Sequence, residues 1–78
     1  MIYNNMIGNL KIQAKIYDTG SQYGINEGRI SKLWIYDIEA SDLVYIWDRG
    51  DEFKNESYSA DISQIVNQLL KEFETEGE

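Results

Sequence analysis

Residues 29–48 read RISKLWIYDIEASDLVYIWD, two runs of alternating side chains around a short loop. The first run, from Arg29 to Asp37, and the second, from Leu43 to Asp48, are rich in the β-branched and aromatic residues that favour strands. Between them, the four residues 38–41 that precede Asp42 suit the loop of a hairpin. We therefore predict an antiparallel hairpin at the centre of a β-sheet.

The register of this hairpin follows from placing Asp37 opposite Asp42. One face then carries the aliphatic pairs, and the other face carries the aromatic ones. A shift of one residue would exchange the two faces, so their chemical coherence supports this register. The predicted aliphatic pairs are Ile35–Val44 and Leu33–Ile46, and the pairs on the other face are Tyr36–Leu43, Trp34–Tyr45 and Lys32–Trp47.

Two further elements flank the hairpin. Residues 9–18 alternate apolar and polar side chains and predict another strand, whereas residues 49–59 are polar and predict a loop. The last element is an amphipathic helix that starts near Ser57 or Ser59 and ends at Gly77. Its apolar side chains recur at helical spacing: Ile62, Ile65, Val66, Leu69, Leu70 and Phe73.

The predicted fold is a single α+β domain over residues 1–78, with the C-terminal helix packed on one face of a three-stranded antiparallel sheet. Residues 1–8 are either an extra edge strand, which makes the sheet four-stranded, or an arm that folds over the other face. Residues 74–78 are expected to fray, because their acidic side chains lie at the negative end of the helix dipole.

The composition argues against catalysis. The chain contains no cysteine and no histidine, which removes disulfides, thiolate chemistry, imidazole general bases and the usual zinc ligands. No glycine pattern matches a phosphate-binding loop, and the acidic loop lacks the ligand spacing of an EF-hand. We expect no enzymatic activity, no cofactor and no metal.

Charge is divided unevenly along the chain, whose net charge is −7. Residues 1–36 carry four basic and two acidic side chains, whereas residues 37–78 carry three basic and twelve acidic ones. Such acidity disfavours direct binding of nucleic acid and favours a basic groove on another protein. The candidate acidic contacts are Asp48, Asp51, Glu52 and Glu56.

Aromatic side chains supply a second candidate surface, on the sheet face opposite the helix. Tyrosine and tryptophan are enriched at protein interfaces, so we expect this face to bind a partner. There are three alternatives for this face. Residues 1–7 cover it, or a homodimer buries it. The third is that it binds single-stranded nucleic acid with the help of Lys11, Lys15 and Lys32. The predicted aromatic face comprises Tyr17, Trp34, Tyr36, Tyr45 and Trp47.

Residues 18–33, DTGSQYGINEGRISKL, followed by Asp48-Arg49-Gly50, resemble a family of short uncharacterised phage and prophage proteins of Firmicutes. That family is marked by a YGI-x-x-GRISKL segment, and the similarity covers residues 14–51. Its members often carry an aromatic residue after Arg-Gly, where this chain has Asp51. The resemblance implies a mobile-element origin and transfers no catalytic residue.

The same motif has a structural interpretation. Tyr23, Gly24 and Gly28 are expected to form a tight loop, because glycine permits close turns. Arg29 at the start of its strand is expected to pair with Asp48 at the end of the neighbouring strand.

These features favour a small acidic phage-type accessory protein that binds and inhibits a host protein. The most specific form of this hypothesis is an anti-CRISPR or other anti-defence inhibitor that occupies a basic nucleic-acid groove of the host protein. A homo-oligomer with an aromatic self-interface is the alternative. The chain has no apolar run near the ~20 residues that cross a bilayer and no signal peptide, so we expect no membrane contact and a location in the host cytosol.

Overall fold

The computed structural model describes residues 1–20, 22–25 and 28–74, with Glu74 described by its backbone alone. Five strands form one antiparallel sheet in sequence order, and an α-helix follows them, so the predicted α+β class and C-terminal helix are confirmed. The strands are β1 (Ile2–Ile7), β2 (Leu10–Ile16), β3 (Ile30–Asp37), β4 (Asp42–Asp48) and β5 (Asp51–Lys54); a 3₁₀ turn (Glu56–Tyr58) leads into α1 (Ser59–Glu74).

The sheet has five strands, so the prediction of three or four was wrong. Residues 2–7 form the edge strand β1, which joins β2 through a two-residue turn at Gly8 and Asn9. Gly8 has a φ of 60°, a conformation that glycine adopts without strain. The segment is therefore a strand beside β2 and not an arm across the sheet.

The other additional strand is β5, in a segment predicted to be a loop. Arg49 and Gly50 both have positive φ, 51° and 106°, and form a two-residue hairpin turn of the kind whose twist matches the flanking strands. Arg49 and Gly50 thus form the hairpin turn, and Asp51 is the first residue of β5. The sequence does not predict this strand, because the segment is only four residues long and its side chains are mostly charged and exposed.

The hydrophobic core lies between α1 and one face of the sheet. The helical spacing predicted from sequence is confirmed, since Ile62, Ile65, Leu69 and Phe73 are all buried. Opposite them lie inward-facing side chains of the strands, chiefly Leu10, Ile12, Ala14, Ile16, Ile30, Leu33, Ile35, Val44 and Tyr45. Of the predicted frayed tail, residues 75–78 lie outside the described residues.

A β-bulge in β4 changes the register predicted for the central hairpin. Asp37 pairs with Asp42 and Tyr36 with Leu43 as predicted, but Ile35 then pairs with Tyr45 instead of Val44. The extra residue, Val44, turns inward together with Tyr45. From Tyr45 onward, every side chain of β4 lies on the face opposite to the predicted one.

Candidate binding surface

The sheet face turned away from α1 is left uncovered by the part of the chain that the structure describes; we call it the open face. Side chains of alternate residues point to it from all five strands. Its members are Ile2, Asn4, Met6, Lys11, Gln13, Lys15, Lys32, Trp34, Tyr36, Leu43, Ile46, Asp48, Asp51 and Phe53.

The middle of the open face is apolar. Trp34 on β3 lies opposite Ile46 on β4, and Ile46 lies opposite Phe53 on β5. The side chains of Trp34 and Phe53 are 50% and 45% exposed, large fractions for such residues. A shallow groove of about 380 Å³ runs beside Trp34 and Ile46 toward Ile2. The surface therefore offers apolar area that the described residues do not bury.

Polar pairs border this apolar centre. The Gln13 amide donates a hydrogen bond to Asn4 Oδ1 across β1 and β2, at 2.9 Å. At one end of the face, Lys32 Nζ lies 3.8 Å from Asp48 Oδ1. Because both partners are about half exposed, this ion pair contributes little to stability and remains available to a ligand.

Two residues of the predicted aromatic face are not on the open face. The bulge turns Tyr45 and Trp47 toward α1, where Tyr45 is only 2% exposed. The Tyr45 hydroxyl donates a 2.7 Å hydrogen bond to Glu52, and burial together with this carboxylate raises the pKa of Tyr45. Trp47 packs against the core and donates through Nε1 to the carbonyl of Tyr23. Both side chains thus support the fold.

The other predicted aromatics remain exposed. Trp34 and Tyr36 lie on the open face, as predicted. Tyr17 follows β2, and its ring lies 5.7 Å from the Lys15 ammonium, within the range of a cation–π contact. The aromatic surface is therefore smaller than predicted. Opposite Trp34 and Lys32, Ile46 and Asp48 take the positions predicted for Tyr45 and Trp47, and Phe53 joins the face from β5.

The four predicted acidic residues do not form one cluster. Asp48 and Asp51 face each other at the β4–β5 turn, on the open face. Glu52 points to the opposite side of β5, beside Lys54 at 3.9 Å, and Glu56 lies in the 3₁₀ turn. Within the described residues no group of acidic side chains has the arrangement of a metal site.

The loop before β3 is held by close backbone contacts. A Cβ at Gly24 would overlap the carbonyl of Gly28, so this approach requires glycine, and the Gly28 N–H donates to the Ile25 carbonyl. The Tyr23 side chain is exposed. Ser21, Asn26 and Glu27 of this loop lie outside the described residues.

The predicted pairing of Arg29 with Asp48 was wrong. Arg29 Nε donates to the Tyr17 carbonyl at 2.9 Å, and its Nη1 donates to the Phe73 carbonyl at 2.7 Å. A cation at the C-terminal end of α1 is favourable to the helix dipole. Arg29 therefore ties the helix end to the sheet, while Lys32 and Arg49 lie beside Asp48.

Sequence patterns alone did not identify Ile2, Met6, Ile46 and Phe53 as open-face residues. Regular alternation along β4 places Ile46 on the inner face, because it does not reveal the bulge, and the polar sequence around Phe53 predicts a loop. The alternation of Ile2 and Met6 with Tyr3 and Ile7 was too weak a signal, since both sets are apolar.

Among the described residues, no helix has the length and apolar character needed to cross a membrane. The family of this chain is shown by a match to the model of DUF7678, a domain of unknown function, over residues 1–74, and the chain belongs to that family. No curated protein and no solved structure gives a significant match to it.

Proposed function

We propose that this DUF7678 domain is a non-catalytic binding protein that contacts another protein through the open face. The observation that carries the proposal is the uncovered apolar centre formed by Trp34, Ile46 and Phe53. Exposed aromatic patches on small proteins commonly mark interfaces, because burying them removes a large apolar area from water. The absence of histidine and cysteine from the sequence further favours binding over catalysis.

The partner that we propose is a host protein, bound and inhibited in the cytosol by a protein of mobile-element origin. The motif YGI-x-x-GRISKL supports the phage-type origin, and the net charge of −7 supports a basic partner. An anti-CRISPR or other anti-defence inhibitor of a nucleic-acid-binding effector is the sharpest version of this proposal.

Among the described residues, acidic side chains meet the apolar centre at one end of the open face. Asp48 lines the groove beside Trp34 and Ile46, and Asp51 lies opposite Asp48 on the same face. Glu52 and Glu56 lie off this face. We therefore assign the electrostatic part of partner binding to Asp48 and Asp51. A partner with a basic rim around an apolar pocket would match this arrangement.

Site-specific photo-crosslinking in the host cell tests the open face. A crosslinking amino acid at Phe53 should capture a defined protein, and the same group at Gln68, exposed on the far side of α1, should not. The captured protein, once purified, should bind the wild-type chain at least about tenfold more tightly than a Trp34→Lys variant. Equal capture at both positions, or equal affinity of the two chains, would contradict the proposal.

Charge reversal tests the acidic contribution, with an acidic residue off the open face as the control. Replacing Asp48 and Asp51 by lysine should weaken binding to the captured partner, and more so at low salt. Replacing Glu56, exposed but off the open face, should have little effect. Unchanged binding by the Asp48 and Asp51 variant would exclude a contribution of these two carboxylates to partner binding.

A homodimer built on the open face is the first alternative. It would bury Trp34, which is half exposed in the single chain. Dilution would then shift the emission of a Trp47→Phe variant to longer wavelength as Trp34 becomes exposed. An emission maximum independent of concentration would remove this alternative.

Single-stranded nucleic acid is the second alternative, favoured by three lysines beside Trp34 and Tyr36 on the open face. Lys11, Lys15 and Lys32 all lie on this face. Stacking of bases on the exposed ring would quench the fluorescence of Trp34 at low salt. Unchanged emission on addition of oligonucleotides would exclude it.

A further inference from the structure

The two edges of the sheet differ in the features that prevent pairing with another strand. The edge strand β5 is short, and three of its four residues are charged. The edge strand β1 has six residues, IYNNMI, with no charged side chain and no proline, and its register with β2 is uninterrupted. Proteins usually protect an edge with charges, proline, bulges or shortness, and β1 has none of these devices.

Hydrogen bonds to β2 identify which backbone groups of β1 point outward. The amino terminus of Met1 donates to the Ile16 carbonyl at 2.7 Å, and the Ile16 N–H donates to the Met1 carbonyl at 2.9 Å. In an antiparallel pair, residues that exchange bonds alternate with residues that do not. The N–H and C=O groups of Ile2, Asn4 and Met6 therefore point away from β2.

We infer that β1 pairs antiparallel with β1 of a second copy, about a two-fold axis that passes through Asn4. This register alone brings all the outward groups together: Asn4 faces Asn4 of the second copy, and Ile2 faces Met6. About six backbone hydrogen bonds form across the axis. Two-fold symmetry about a different residue, Tyr3 or Asn5, would leave outward groups at one end of each strand unpaired.

Side chains of β1 fit the same register. Ile2, Asn4 and Met6 all lie on the open face, where Ile2 and Met6 are 62% and 47% exposed. The pairing places Ile2 against Met6 of the second copy twice, and this contact buries apolar side chains that are exposed in the single chain. Since β1 carries no charged side chain, no like charges lie opposite each other across the axis.

The β1 edge therefore binds a second copy of this chain. The resulting dimer contains a continuous ten-stranded sheet, about twice the width of one sheet. The two open faces lie on the same side of that sheet. This interface uses the β1 edge, whereas the proposed partner contacts Trp34, Ile46 and Phe53 on β3, β4 and β5, so either proposal can fail without the other.

Substitution at Asn4 tests the edge directly. Asn4→Pro removes the outward N–H, which makes no bond to β2, so the chain should still fold while dimerisation is lost. Asn4→Ala is the matched control, because it also loses the Gln13 contact but keeps the N–H. Sedimentation equilibrium should show a dissociation constant at least about tenfold higher for Asn4→Pro than for Asn4→Ala.

If the proline variant does not fold, a Met6→Lys variant and amide hydrogen exchange test the same interface. Met6→Lys should also weaken the dimer, because each lysine would lie against Ile2 of the second copy. The amides of Ile2, Asn4 and Met6 should gain protection with rising protein concentration. A strict monomer up to about 1 mM, or a dimer that is unchanged by Asn4→Pro or by Met6→Lys, would overturn the inference.

Discussion

Asp37, the last residue of β3, is a buried carboxylate that joins three parts of the chain. It accepts hydrogen bonds from the Asn9 amide, the Tyr58 hydroxyl and the N–H groups of Glu39 and Ala40. The backbone bond from Ala40, followed by those from Tyr58 and Asn9, lowers the pKa of Asp37 to about 2. This cluster fixes the turn before β4 and the start of the helix.

Stability from this cluster should depend on pH in a defined direction. Because the folded-state pKa of Asp37 is lowered from 3.8 to about 2, its contribution is present above pH 4 and is lost as the pH falls toward 2. Urea unfolding should show a lower free energy of unfolding for Asp37→Asn than for wild type. This difference should be large at neutral pH and small near pH 2. Glu39→Gln, an exposed carboxylate in the same turn, should change the unfolding free energy by less than about 0.5 kcal/mol at either pH.

Tyr58 should act in the opposite pH range. Its hydrogen bond to Asp37 raises the pKa of Tyr58 from 10.0 to about 12. The contribution of the protonated hydroxyl is therefore present below pH 10 and is lost as the pH rises through about 12. A Tyr58→Phe variant should lose stability at neutral pH and should show a weaker decline of stability in alkali than wild type.

At the scale of elements, the bulge in β4 decides which aromatic side chains are available to a partner. Val44 and Tyr45 both turn inward at the bulge, and the rest of β4 follows in the shifted register. The neighbouring strand β3 has no such shift at Trp34, so the two tryptophans lie on opposite faces. One tryptophan, Trp47, therefore packs against the core, and the other, Trp34, lies on the open face.

Fluorescence of single-tryptophan variants tests this assignment. Trp47→Phe retains only Trp34, which should emit at longer wavelength and be quenched strongly by iodide or acrylamide. Trp34→Phe retains only Trp47, whose indole is packed against the core and bonded to the Tyr23 carbonyl, so its quenching should be weaker. Similar quenching of the two variants would mean that both rings lie on one face, as the regular register predicted.

The helix provides the core, and its buried positions should be sensitive to truncation. Leu69 is 3% exposed at the centre of the contact between α1 and the sheet. Leu69→Ala should lower the free energy of unfolding by about 2–5 kcal/mol, through lost burial and a residual cavity. Gln68→Ala, exposed on the same helix, should remain within about 0.5 kcal/mol, as measured by urea unfolding.

For the whole molecule, charge sets opposite salt dependences for the two proposed interactions. Two copies of net charge −7 repel each other, so added salt should strengthen pairing through β1 by screening this repulsion. Binding of Asp48 and Asp51 to a basic partner should weaken in the same salt series. Sedimentation equilibrium measures pairing through β1, and titration with the captured partner measures binding through Asp48 and Asp51. If salt changed both affinities in the same direction, this assignment of charge would be contradicted.

Local patterns were sufficient to predict the helix, the strands β2 and β3, and the Asp37–Asp42 closure of the hairpin, because periodicity and turn chemistry depend on neighbouring residues. Each buried residue of α1 was identifiable from its spacing. Tertiary structure alone decided the bulge at Val44, the pairing of β5 and the position of Arg29. These depend on packing between segments: Tyr45 and Trp47 complete a core against α1 that alternation within β4 cannot reveal. The same packing left Trp34, Ile46 and Phe53 together on the uncovered face.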